Sequence, residues 1–523
     1  MGGQLSPFII LGIIVFYFCL LFGISWWTTR GDTSNESFFV AKRQAPWWLV
    51  TIGMIGASIS GVTFVSIPGA VGGAIGKQNI DFSYMQVVFG YLLGYAFIAL
   101  VLMPVYYRMN LTSIYTYLEK RFGYWSYKTG AAFFLLSRTI GAAFRLFLMI
   151  MILQKFVLDP MHVPFAVTAF VIIGLIWLYT YKGGTKTVLY TDVLLTFCFL
   201  TALALTIMTI GQKLDKGFID MTTMVWNSEY SKTFFFSGGW ADPNNFFKQF
   251  FGGALITIMM TGLDQDLMQK NLTCRNIKDA QKNMFTFSGI LIVVNLLFLM
   301  LGALLYIYAA SIGVTPPART DFMYPEMAFN NLSTFGAVLF ILGIVASTFS
   351  SADSALTALT TSFCVDFLNF EKKATNIDPA KYDYDPTQME RAMGDVANEQ
   401  EPQRFKVHLG MSFLLFLMVL GFAFVNNEAI INELFKAAGY TYGPLLGMFI
   451  FGFYTTRKVK YDRLAPYICV AAPIFCYILN KYSDVLLFGF QMGFLVSALN
   501  GLLVFIGFWF ISEPDYAPEE VTY

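Results

Sequence analysis

The chain has 523 residues, of which 56% are hydrophobic and 13% charged, with a formal net charge of +1. A soluble domain carries about 25% charged residues, so a water-soluble globular protein is excluded, and the near-zero charge leaves no electrostatic footprint for a nucleic-acid partner. The six cysteines show no CxxC or CxxH spacing and lie mostly in apolar runs, which predicts neither disulfides nor zinc.

In chain order, apolar segments predict thirteen membrane helices near 6–27, 46–70, 82–108, 126–157, 161–181, 187–211, 248–270, 283–312, 333–368, 405–425, 430–455, 461–481 and 485–511. The first has no basic residue before it and Arg30, Lys42 and Arg43 after it, so it reads as an anchor with its N-terminus outside. Short connections on the inner side then hold 17 of the 34 Lys and Arg, against nine on the outer side. This bias predicts a multi-pass protein of the cell membrane with a cytoplasmic C-terminus. Residues 212–247 read as an aromatic-rich outer loop, and 371–404, acidic and containing Pro379, Pro386 and Pro402, as a cytoplasmic linker, mobile or partly helical.

Polar groups at membrane depth mark function. The densest run is Ser347-Thr348-Phe349-Ser350-Ser351-Ala352-Asp353-Ser354. On a helix, Ile344, Ser347, Thr348 and Ser351 share a face with Ser350 beside them. Such stacked hydroxyls suit a hard monovalent cation; close helix packing with hydroxyls bonded back to the backbone is the alternative. The stretch from Gly53 to Gly69 holds Gly53, Gly56, Gly61, Gly69, Pro68, Ser58, Ser60, Thr63 and Ser66, which disfavours a continuous helix. Span 248–270 opens Phe251-Gly252-Gly253 and contains Thr257, Thr261 and Gly262. Two interrupted helices five spans apart point to an inverted-repeat transporter with a midplane site. The expected division is a leading helix (1–45), a first repeat (46–211), the outer loop, a second repeat (248–455) and two terminal helices with a short tail (456–523). Asp192, Arg138 and Arg145 are intramembrane charges and candidate site residues. His162 and His408 lie near helix ends and read as structural.

Gly262-Leu-Asp264-Gln265-Asp-Leu-Met-Gln269-Lys270, followed by Lys278-Asp-Ala280, resembles the G-x-[N/D]-Q…Q-[R/K]…A segment of the sodium:solute symporter family. The Ser347-Thr348 stretch, the broken helix ending Ile67-Pro68-Gly69-Ala70 and Gly439-Tyr-Thr-Tyr-Gly443-Pro444-Leu-Leu-Gly447 are similar to it too. The resemblance implies an all-α, leucine-transporter-type five-plus-five fold in the lipid bilayer and a sodium-coupled symporter for a small solute. It implies a sodium site at Gly56, Ile59, Ile344, Ser347 and Thr348, and an additional one at Asp192, Ser347, Ser350 and Ser351, as in bacterial sialic acid symporters. It carries substrate contacts onto Ser58, Ser60, Thr63, Phe82, Gln86 and Arg138, with Arg145 an alternative register for the arginine. Where sugar-transporting relatives use an acid and an asparagine, this chain has Gln86 and Thr257, and 283–312 holds no lysine, which favours a sialic acid-like anion over a neutral hexose. A neutral sugar, monocarboxylate or vitamin substrate, a solute sensor, and proton coupling through Asp192 and Asp353 are the rival readings; a membrane enzyme lacks a catalytic constellation.

Overall fold

The computed structural model describes residues 7–30, 34–73, 80–239, 242–370, 386–425, 430–487, 490, 492–493 and 495–514. Helices in lipid must satisfy their backbone internally, and apolar residues here run right round most of them rather than forming one stripe. The principal helices are α1 (Pro7–Thr29), α2 (Trp47–Ser58), α3 (Gly61–Ala70), α4 (Tyr84–Phe97), α5 (Tyr124–Leu153), α6 (Phe165–Thr180) and α7 (Gly184–Lys213). They continue with α8 (Phe246–Thr257), α9 (Gln265–Asn271), α10 (Ile277–Ser311), α11 (Thr334–Ser362), α12 (Pro386–Val425), α13 (Ile430–Tyr454), α14 (Ala465–Lys481) and α15 (Leu495–Phe510). Eight helices among the described residues are long and apolar enough to cross a membrane, and up to ten are if two bent pairs each count as one span. The shorter apolar helices α6 and α15 lie at two further expected positions.

Both interrupted helices are present. α2 and α3 meet at 57° and the α8 segment meets α9 at 69°. The first break falls at Ile59 (φ −88°, ψ 88°) and extended Ser60. The second follows a π turn over Ile258–Gly262, and Asp264 restarts the helix by accepting from the Asp266 N–H at 2.8 Å. The two broken helices are joined where the Ala45 N–H donates to the Thr273 carbonyl at 3.0 Å.

α11 is the central element. Ser333 caps it, its Oγ accepting from Gly336 N, and every residue from Gly343 to Ser362 is buried. It packs along α7, α5 and the two halves of the first broken helix. Glycines permit the closest approaches. A Cβ on Gly61 would collide with Thr348 Oγ1, and one on Gly56 with the Ser350 and Thr196 hydroxyls. Likewise α4 and α8 cross backbone to backbone at Gly90 and Gly253, whose added Cβ atoms would strike the carbonyls of Phe250 and Val87.

Two details concern the segments expected on the inner side. The linker is helical from Pro386 and runs without interruption through Pro402 into the membrane segment as α12, while 371–385 lie outside the described residues. The last loop and the chain end are tied by a two-residue antiparallel pairing of Lys458–Val459 with Ser512–Glu513. The outer loop contains a helix, Phe218–Trp226, and Trp240 and Ala241 in it lie outside the described residues. His408 is a structural clamp, Nε2 meeting Thr180 Oγ1 at 2.9 Å and Nδ1 meeting Thr360 Oγ1 at 2.8 Å.

Candidate functional site

The break in the first helix sets the chemistry. α2 ends with orphan carbonyls and the negative end of its dipole at Ser58–Ser60, in the middle of the bundle. α11 passes beside it with the hydroxyl ladder. Ser347 Oγ donates to the Ile344 carbonyl at 3.2 Å and Ser351 Oγ to the Thr348 carbonyl at 3.0 Å, and Thr348 Oγ1 is buried without a hydrogen-bond partner among the described residues. Each hydroxyl that donates keeps its lone pairs, so these oxygens suit a hard monovalent cation. At the crossing of the first broken helix with α11, Gly61 lies against Thr348 and Ile344, and Gly56 against Ser350 and Thr196.

Asp192, on α7, is fully buried and meets Ser350, whose hydroxyl donates to Oδ1. Its other oxygen is taken by Lys270 of α9, whose Nζ lies 2.5 Å from Oδ2 and 3.4 Å from the Gly53 carbonyl. Lys270 is itself 2% exposed. The additional set is therefore assembled in part: Asp192 and Ser350 touch, Ser347 and Ser351 bond within their own helix, and a protein ammonium already stands beside the carboxylate. Lys270 was visible in the Gln269-Lys270 motif, but nothing local to the sequence says that it reaches Asp192.

A cavity of about 100 Å³ sits at the two breaks, tighter than the roughly 300–1,000 Å³ usual for small-molecule sites. Ser58, Ser60, Thr63 and Arg138 line it, together with Arg145, Tyr84, Tyr91, Tyr95, Thr257, Thr261 and Asn295. Phe82 and Gln86 do not. Gln86 is fully buried and holds the outer loop, accepting from Phe235 N at 3.1 Å and donating to the Asn244 carbonyl at 2.9 Å. Phe82 is packed in the core, its N–H bonded to the Lys232 carbonyl at 3.0 Å.

The two arginines, seven residues apart on α5, have different partners. Arg138 is ion-paired to Asp266 through Nη2 and lies 3.9 Å from Asp264 Oδ2. Asp264 also accepts from the Tyr442 hydroxyl on α13, and Asp266 from the Ser354 hydroxyl on α11. This network closes α5, α9, α11 and α13 against one another below the cavity. Arg145 is buried, and its Nε and Nη1 have no hydrogen-bond partner among the described residues. The Ser58 hydroxyl and Arg138 Nε, which line the same cavity, are also without a hydrogen-bond partner there. Asp264, Asp266 and Tyr442 carry no periodic signal that marks them as partners of Arg138; only the fold joins them.

Residues 38–380 match the profile of the Sodium:solute symporter family. The chain is similar to a sodium/sialic acid symporter of Aliivibrio fischeri, 23% identical over 84% of this chain and 82% of that protein. It is similar also to one from Proteus mirabilis, 22% identical over 86% of this chain and 85% of the relative. Among solved structures it is similar to a substrate-bound, outward-open Na+-coupled sialic acid symporter, with a TM-score of 0.75 at 18% identity over 97% of this chain and 99% of that one.

Proposed function

The chain belongs to the sodium:solute symporter family, and from that premise we propose that it moves a small anionic solute, of the sugar-acid class, into the cell together with sodium. The protein is a multi-pass membrane transporter with the leucine-transporter type of fold, and sodium and a small solute are its partners. The observation that carries the anion is Arg145. A buried guanidinium with uncommitted donors in a cavity costs several kcal/mol unless a ligand completes it, and a carboxylate matches its fork. Ser58 at the helix break supplies a second donor, and Tyr84, Tyr91 and Tyr95 offer apolar faces for a ring. The relatives named for sialic acid support the same class.

In this reading residues 46–211 and 248–455 are the two inverted halves, the N-terminus faces outward and the C-terminus the cytoplasm. Sodium at Gly56, Ile59, Ile344, Ser347 and Thr348 ties the first broken helix to α11 and favours the solute-competent state. Solute and sodium then raise each other's affinity by the same factor. The network around Arg138 is the inner gate. Asp192, Ser347, Ser350 and Ser351 take a second sodium only if Lys270 moves aside. A neutral solute is the second reading, favoured by the charge balance of the site, in which Arg138 and Arg145 are matched by Asp264 and Asp266.

Uptake into proteoliposomes tests the assignment. Imposed sodium, proton and null gradients are compared on a panel of sialic acids, other sugar acids, hexoses, monocarboxylates and vitamins. Sodium-driven uptake of a carboxylated sugar is the expected result; uptake of neutral hexoses alone would remove the anion, and proton-driven uptake would remove sodium.

A further inference from the structure

Beyond the sites above, α11 carries a second stripe of oxygens. Asp353, Thr357 and Thr361 recur at intervals of four and so share one face of the helix. Asp353 is fully buried. Its Oδ2 accepts from the Tyr179 hydroxyl of α6 at 2.9 Å and faces Thr191 Oγ1 of α7 at 3.4 Å. Among the described residues its Oδ1 has no donor and the Thr357 hydroxyl one turn on has no partner.

The kind of atom decides what belongs here. An ionised carboxylate oxygen accepts and cannot donate. Buried acceptors of this kind need a donor or a cation. Charge points the same way. Lys270 neutralises Asp192 at 2.5 Å, which leaves Asp353, next to Thr191, as an uncancelled carboxyl. Among the described residues the ionisable groups around it are Asp192, Lys270, Tyr179 and Tyr17, and Lys270, the one cation of these, is already engaged. Hard monovalent cations prefer oxygen ligands, one of which can carry the charge.

We propose that Asp353, with Thr357, forms a further monovalent-cation site, occupied by sodium after it leaves the Ser347–Thr348 crossing toward the Ser362 end of α11. Asp353 is the charged ligand, Thr357 is a neutral oxygen ligand, and Tyr179 and Thr191 hold the carboxylate in place. The site turns α11 into a graded row of oxygens from Ser347 through Ser350 to Asp353 and Thr357.

This rests on sodium coupling, and the test separates the two. Thermal unfolding of the purified transporter is followed while sodium chloride replaces choline chloride at constant ionic strength, with no solute present. Asp353→Asn keeps the acceptor for Tyr179 and removes the charge; the sodium needed for half-maximal stabilisation is expected to rise about tenfold. Ser347→Ala with Thr348→Ala is expected to leave a residual sodium response, which adding Asp353→Asn abolishes. Should the Asn variant not fold, Thr357→Val is expected to give the same shift in smaller measure. A residual response that survives both Asp353→Asn and Thr357→Val overturns the site and leaves an ordered water there. A changed pH response with the sodium response intact also overturns it, in favour of a proton. A wild-type protein indifferent to sodium defeats the coupling reading itself, and this site with it.

Discussion

Lys270 and Asp192, 78 residues apart in sequence, bring an ammonium and a carboxylate within 2.5 Å of each other at the centre of the bundle, both essentially inaccessible to solvent. The pair links the second broken helix to α7, and through the Gly53 carbonyl to the first broken helix as well. Removing one partner leaves a bare charge in a low-dielectric interior, at a cost of about 3–5 kcal/mol. Lys270→Met and Asp192→Asn are expected to lower the thermal midpoint of the detergent-solubilised protein, Lys270→Met the more strongly, because Asn leaves the Lys ammonium a neutral acceptor. The double variant should recover part of either loss. Strictly additive losses would mean that the two side chains do not act as a pair.

The arginines separate in their effects on transport. Arg145→Lys or Arg145→Gln is expected to weaken uptake of an anionic solute by about 30-fold or more, the equivalent of at least about 2 kcal/mol for a charge-assisted contact, with little change for a neutral solute. Arg138→Gln should impair every solute alike, since it strands Asp266 and loosens the contact with α13. Competition assays across a matched acid and amide pair of solutes read this directly. An Arg138 variant selective against anions would reverse the assignment.

Ser347→Ala with Thr348→Ala removes two hydroxyls from the crossing with the first broken helix. The sodium concentration for half-maximal uptake should rise by about an order of magnitude or more, and the protein should still fold, because among the described residues Ser347 Oγ bonds within its own helix and Thr348 Oγ1 has no partner to lose. Sodium-activation curves in proteoliposomes check this. An unchanged curve would place the ion elsewhere.

Gly90→Ala and Gly253→Ala probe the close crossing of α4 and α8. The added methyl meets a backbone carbonyl in each case, not a flexible side-chain end, so the helices must move apart, at about 1–3 kcal/mol. Gly174→Ala, with open space at its Cβ position, should leave the unfolding midpoint where it is and serves as the control.

The chain's own pattern determined the membrane class, the two broken helices and the hydroxyl ladder of α11, because each depends on local facts. A run of apolar residues of bilayer length has one stable backbone solution, and a cluster of glycine, proline and hydroxyls interrupts it wherever it falls. The break at Ile59 and the burial of Ser347 to Ser351 follow from that. What only the tertiary structure decided is which charges meet. Arg138 and Arg145 stand on one face of one helix and both line the cavity, yet the fold sets Asp266 against the first and no carboxylate within ion-pair distance of the second among the described residues. Gln86 reads as a solute contact until the outer loop arrives to occupy both ends of its amide. Lys270 becomes the partner of Asp192 only when α9 packs beside α7. Hydropathy and helical period act over a few turns of one segment, whereas a buried ion pair is fixed by the packing of helices that are remote in sequence.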